Sequence, residues 1–231
     1  MQLLPTIPSL PEADVCRLMP QLQTGDLLLF AGCGWTSDLV RLFTRSPWSH
    51  VAMVVRLPEH GQPLVLETTA VNESADLHQA EPKAGVVLVP LARKLAGYPG
   101  AVALRRRLGA PLDERQQRLL ARLIERLRYR PYRNYVRAHL YGFLRGAARP
   151  CYSGLFCSEL VAELYRRLGW LPRELVSRNL VPGHFASPRL PLADHTHLAE
   201  PCWLKPPLTR PSSLPGAVQT LALTTAGQVS D

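Results

Sequence analysis

Cys157 stands where the glycine-containing stretch Tyr152-Ser153-Gly154-Leu155-Phe156 runs into Cys157-Ser158-Glu159-Leu160-Val161. Beyond it Leu160, Val161, Leu164, Tyr165 and Leu168 recur at helical spacing, and Gly169 supplies a helix-ending residue. The pattern predicts a helix from about Phe156 to Leu168 with the Cys157 sulfur at its N-terminus. Unpaired N–H groups and the positive end of the helix dipole favour thiolate over thiol there, and the same N–H groups suit an oxyanion formed in acyl transfer. The competing reading is a buried apolar cysteine that packs the helix.

A thiol nucleophile needs a base, and the base needs an orienting group. His50 opens the apolar, β-rich run Ser49-His50-Val51-Ala52-Met53-Val54-Val55-Arg56. Its imidazole is therefore expected at the edge of a sheet, outside the core run that follows. Glu67 is the charged residue in Leu64-Val65-Leu66-Glu67-Thr68, which follows across Pro58-Glu59-His60-Gly61-Gln62. Two adjacent antiparallel strands are predicted, and a carboxylate beside an imidazole fixes its tautomer and stabilises the imidazolium. The alternative for Glu67 is a charge facing solvent from an edge strand.

Other residues offer weaker chemistry. Trp48, two residues before His50, is a candidate wall of the substrate cleft or a core tryptophan. Asp26, after Gly25, is a candidate shaping group or a turn cap. Cys151 is a rival nucleophile that follows Pro150 in a loop and lacks the helix start. His184 and the His195, His197 pair suggest a metal, yet no Cys, Asp or Glu cluster completes a four-ligand set, so neither metal nor cofactor is expected.

The elements that must position these groups are legible in outline. Asp26-Leu27-Leu28-Leu29-Phe30 reads as a buried strand, Thr36 to Thr44 as a short helix, and Gly85 to Leu91 and Ala101 to Leu104 as further strands. Five strands thus precede a helical half, which opens near Asp113 with Leu119, Leu120, Leu123, Ile124 and Leu127 at helical spacing. The fold class expected is α+β, an antiparallel sheet with helices packed against one side. Residues 1–23, with four prolines, read as an irregular lead-in, residues 24–204 as the catalytic domain, and the Pro-, Ser- and Thr-rich residues 205–231 as a disordered tail.

At 231 residues and 46% hydrophobic the chain is long enough for one domain with a substantial core. Five irregularly spaced cysteines without a CxxC pair argue against a disulfide scaffold. A basic apolar leader is missing from the N-terminus, and no run of about 18 apolar residues occurs. The expected compartment is the cytoplasm, although export by a signal-less route would leave no trace. The net charge of +9 is mostly arginine, clustered at Arg105-Arg106-Arg107 and from Arg115 to Arg137. It favours an anionic surface as partner, or simply a solvated basic helix face. Without interleaved aromatics it predicts no specific nucleic acid, and it leaves the oligomeric state open.

Taken in order, Gly25-Asp26-Leu27-Leu28-Leu29-Phe30, Ser49-His50-Val51-Ala52-Met53-Val54, Val65-Leu66-Glu67, Pro131-Tyr132 and Phe156-Cys157-Ser158-Glu159-Leu160-Val161 resemble the circularly permuted branch of the NlpC-type papain-like cysteine hydrolases. That branch, in which the histidine strand precedes the cysteine helix, includes lecithin:retinol-acyltransferase-like proteins. The resemblance spans residues 25 to about 190. It implies a circularly permuted papain-like fold, with Cys157 as nucleophile, His50 as base and Glu67 as orienting group. The implied activity is cleavage of an acyl bond through a thioester, with an amide of peptide or peptidoglycan type as the expected substrate. A lipid ester hydrolase or acyltransferase is the first alternative. The asparagine-cysteine signature of the lecithin:retinol type is missing, because Phe156 and Ser158 flank Cys157, and the segment from Ala70 to Ala84 is longer than a tight hairpin. A non-catalytic basic module that docks on anionic membrane or nucleic acid is the second alternative.

Overall fold

Residues 4–32, 35–69, 85–128, 156–193 and 195–207 are described by a computed structural model. Leu27-Leu28-Leu29-Phe30-Ala31 is apolar at every position and forms the central strand β1 (Leu27–Ala31). After α2 (Trp35–Thr44), β2 (His50–Val55) returns antiparallel to it, with Leu27 opposite Met53 and Phe30 opposite His50. β3 (Leu64–Thr69) and β4 (Gly85–Pro90) continue the sheet outward. On the other side of β1 lie β5 (Ala101–Arg105) and the edge strand Cys202–Lys205, giving six antiparallel strands. A two-stranded ladder joins β6 (Arg107–Leu108) to β7 (His197–Leu198), so the edge strand is β8.

Helices cover both faces of this sheet, where packing against one side was expected. Leu27, Leu29, Val51, Met53, Leu66 and Ala103 face α4 (Glu114–Leu127) and α5 (Cys157–Arg167), with Ile124, Leu160, Leu164 and Tyr165 in the same core. Leu28, Phe30, Ala52, Val54, Val65 and Val102 face the opposite way, toward α1 (Glu12–Leu18) and α3 (Leu91–Gly97). A sheet wetted on one face alternates apolar and polar residues, whereas strands buried on both faces read as unbroken apolar runs. β1 and β4 are such runs, buried throughout, and β5 is one up to its last residue, the buried Arg105.

This demand for a second cover explains two departures from the expected organisation. The lead-in is not irregular: α1 and the 3₁₀ turn Met19–Gln21 press Leu10, Val15, Leu18 and Met19 onto the second face. Ser9 bridges in parallel to Trp203, and the Arg56 guanidinium donates to the carbonyls of Met19, Pro20 and Leu22 at 2.8–2.9 Å. The stretch read as the end of the domain holds the sixth strand of the main sheet, with Trp203 opposite Ala103. The region expected as a disordered tail is otherwise outside the described residues from 208 onward.

Asp26 is fully buried at the bend before β1. One carboxylate oxygen accepts from the Gln23 N–H and the other from the Arg107 N–H, both at 2.8 Å, and the Arg106 side chain lies 3.5 Å away. Burial raises its pKa against these stabilising partners. Beside it Gly25 has φ +98°, and a Cβ there would meet Trp170 at 2.7 Å, so the bend requires glycine. Of the two readings of Asp26, a shaping group or a turn cap, its contacts fit the turn cap: both carboxylate oxygens are engaged in joining the turn to the β5–β6 corner. Asp26→Ala should lower stability to urea by about 2–6 kcal/mol, since two buried donors lose their acceptor at roughly 1–3 kcal/mol each. The folded variant should alkylate at Cys157 at the wild-type rate, and a slowed thiol would return Asp26 to the site.

Candidate active site

Helix α5 begins at Cys157. Phe156 is in extended conformation at the cap position, its N–H reaches the Glu159 carboxylate at 3.4 Å, and the Leu160 N–H closes the first turn on the Phe156 carbonyl at 2.9 Å. The Ser158 hydroxyl donates to the Leu180 carbonyl at 2.6 Å and ties this turn to the 3₁₀ segment Ser177–Asn179. The Cys157 sulfur lies beside the His50 ring and the backbone N–H groups of Ser158 and Val51, all of which lower its pKa. It is thus held between the start of a helix and the start of a strand.

His50 and Glu67 meet where two strands part. The β2–β3 ladder pairs Val55 with Leu64, Val54 with Val65 and Met53 with Leu66, and goes no further, whereas β3 stays paired to β4 through Thr69. His50 and Glu67 lie beyond the last pair, and His50 Nε2 to Glu67 Oε2 at 2.8 Å spans the parting. That bond leaves Nδ1 as the ring nitrogen for the thiol. Cys157 belongs to the core on the α5 side, while Phe30, which opposes His50 at 5.2 Å between ring centroids, belongs to the α3 side. The contact between sulfur and imidazole therefore crosses the sheet at the point where its ladder is open.

A fourth group completes the cluster. Lys94, on α3, donates to Glu67 Oε1 at 2.6 Å, and its ammonium sits 5.4 Å from the Phe30 ring centroid and 5.6 Å from that of Tyr98. The Glu67 carboxylate is completely buried and engaged on both oxygens. Sequence reasoning missed Lys94. Its signal was a lysine at i+3 from Leu91 and i−1 from Leu95, on the face that α3 turns to the sheet.

The charges reinforce one another. Burial opposes the Glu67 anion, but Lys94 and His50 outweigh it and hold the carboxyl at about 2. Burial also opposes a charged imidazole, yet Cys157 and Glu67 raise His50 to about 9. At Cys157 burial favours the thiol, while His50 and the two backbone N–H groups prevail and lower its pKa. The pair is thus biased toward thiolate and imidazolium. The His50 side chain is 18% exposed and Cys157 9%, so the pair touches solvent, unlike Glu67.

The remaining candidates fall elsewhere. Trp48 is 2% exposed and packs on Trp203 at 5.5 Å between centroids. It also lines a cavity of about 560 Å³ with Ser46, Pro47, Val181 and Gly183, and among the described residues neither Cys157 nor His50 lines it. The structure therefore gives Trp48 a core position and does not make it a wall of the thiol site. His184 Nδ1 accepts from the Val181 N–H at 3.2 Å, and His197 belongs to β7. Among the described residues no group of three or more His, Cys, Asp and Glu could hold a metal ion. Cys151, Pro131-Tyr132 and the Ala70–Ala84 segment lie outside the described residues, as does the part of the basic stretch from Arg130 to Arg137.

No family model matches the chain, and no curated protein matches it. A solved structure, the metalloprotein yiiX of Escherichia coli O157:H7 (DUF1105), is similar at 26% identity over 64% of this chain and 67% of that one, with a TM-score of 0.44.

Because the thiolate is the reacting form, the rate of Cys157 alkylation by iodoacetamide should reach half its plateau below the pH of an ordinary thiol. His50→Ala should move that midpoint upward. Glu67→Ala strands the Lys94 ammonium in a buried site and should lower stability by about 3–5 kcal/mol. A depressed carboxyl contributes stability in full above its ordinary value of 4.5 and loses it as pH falls toward about 2. Urea unfolding between these limits should accordingly depend less steeply on pH in Glu67→Ala than in the wild type.

Proposed function

We propose that this chain is a circularly permuted papain-like cysteine hydrolase that cleaves an amide through a thioester on Cys157. The observation that carries the reading is the succession in which the Cys157 sulfur, at the first residue of α5, stands beside His50, and His50 Nε2 meets Glu67 Oε2 at 2.8 Å. The order along the chain, histidine strand before cysteine helix, agrees with the permuted branch. In the ion-pair state the thiolate is already formed and His50 already holds the proton that the leaving group needs.

The steps follow from those positions. The Cys157 thiolate attacks the acyl carbon, and the carbonyl electrons move to oxygen. N–H groups in the first turn of α5, which lack partners within the helix, are the donors for that oxyanion. Collapse of the adduct expels the amine, which takes the proton from His50 and leaves neutral imidazole beside a thioester. His50 then draws a proton from water, hydroxide attacks the thioester, the acid departs and the thiolate–imidazolium pair is restored. Glu67 keeps the ring oriented throughout and steadies its charged form.

Two limbs should bound turnover with pH. Activity falls on the acid side as Cys157 takes up a proton, and on the basic side near pH 9 as His50 loses the one it donates. The chemistry is tested by rapid acid quench and intact mass after incubation with peptide p-nitroanilides or with phospholipid vesicles. Peptide donors should leave an acyl group on Cys157, Cys157→Ala should acquire none, and His50→Ala should turn over about 10²–10⁴-fold more slowly. Acylation unchanged in Cys157→Ala overturns the nucleophile. Acylation by phospholipid alone overturns the amide.

A further inference from the structure

We infer that Lys94 is a positioning residue of the thiol site, a fourth member whose charge on Glu67 sets the pH window in which the Cys157–His50 pair is ionised. The inference rests on the hydrolase reading for its purpose but on separate contacts for its content. Lys94 is 13% exposed and comes from α3, on the opposite side of the sheet from the cysteine helix. A lysine needed only for solubility would turn its ammonium to water; this one spends it on a carboxylate with no exposed surface. The rings of Phe30 and Tyr98 flank the ammonium and favour a cation there.

Among the described residues, the ionisable neighbours of the carboxylate belong to this cluster or are turned away from it. His50 faces Glu67 from β2 and Lys94 faces it from α3, while Cys157 on α5 acts through His50. On β4, the residue opposite Glu67 is Val87. Arg93 on α3 is exposed, and the Lys205 ammonium from β8 is bound to the Leu95 and Tyr98 carbonyls at 3.2 and 2.5 Å. The tyrosine ring packs edge-on to Phe30 at 4.8 Å.

Charge counting gives the consequence. Thiolate, imidazolium, carboxylate and ammonium sum to zero. Without the ammonium the same cluster carries a net negative charge in a buried place. A proton is then held more firmly wherever one can be held, so both the thiol and the imidazolium titrate at higher pH. Loss of Lys94 should therefore move the acid and basic limbs in the same direction, upward, whereas a merely structural lysine would change stability and leave both limbs in place.

The experiment uses the full chain and reads Cys157 alkylation by iodoacetamide together with the NMR titration of the His50 ring, neither of which needs a substrate. In Lys94→Met both midpoints should rise by about 1–3 units. Lys94→Gln keeps a hydrogen-bond donor without charge, is the variant to use if Lys94→Met does not fold, and should give the same upward shift. Lys94→Arg should retain the wild-type limbs. Folded Lys94→Met or Lys94→Gln with unmoved midpoints overturns the role given to Lys94, while the thiol reading stands. A wild-type Cys157 that titrates as an ordinary thiol and ignores His50→Ala overturns the hydrolase reading itself, so the two failures are distinct.

Discussion

The molecule is organised around one buried anion. Glu67 has no exposed surface, and a carboxylate so placed is tolerable only with cations and donors on both oxygens. His50 and Lys94 supply them, from β2 on one side and α3 on the other. The same constraint that keeps Glu67 ionised favours a protonated imidazole, and the protonated imidazole draws the Cys157 thiol toward thiolate. The ionisation of all three groups is thus drawn from one set of contacts, and three layers of the fold must be in register for it to exist.

That register depends on a sheet that is incomplete at one place. Had the β2–β3 ladder run on past Met53 and Leu66, its register would have set Glu67 opposite Ala52 and His50 opposite Thr69. Because it stops, the imidazole bridges the parting, and the sulfur of α5 meets it from the other core. The sheet around β1 is continuously paired by contrast. β1, apolar throughout, is paired along its length on both sides, and Asp26 locks its entry to the β5–β6 corner. An open seam within a fully paired frame leaves room for chemistry without loosening the core.

Much of this was legible beforehand, for reasons that can be named. The α5 start was readable because a glycine-bearing loop followed by Leu160, Val161 and Leu164 at helical spacing has one sensible folding, and α4 because Asp113 caps it through the Gln116 N–H at 2.7 Å. β1 to β5 were readable as short apolar runs between turn residues. Harder to see were α1, α3 and β8, because each is short and owes its form to the surface it covers. Leu10, Val15 and Leu18 have little period of their own, and Trp203 pairs with Ala103, a partner far away along the chain. Asp26 and Trp48 were proposed for the site because they neighbour its motifs. Adjacency in sequence did not survive folding: the Asp26 carboxylate turned to Gln23 and Arg107, and the Trp48 ring to Trp203.

By itself the sequence determined the identities and order of the candidate groups, the helix that opens at Cys157 and the strands that bear His50 and Glu67, since these follow from local periodicity and from capping over a few residues. Only the tertiary structure decided that the sheet would be covered on both faces, that its ladder would stop short of His50, and that Lys94 would reach Glu67 from the far layer. Those outcomes depend on which apolar surface meets which, and that is settled by long-range packing and by the cost of leaving a buried charge without its counterion.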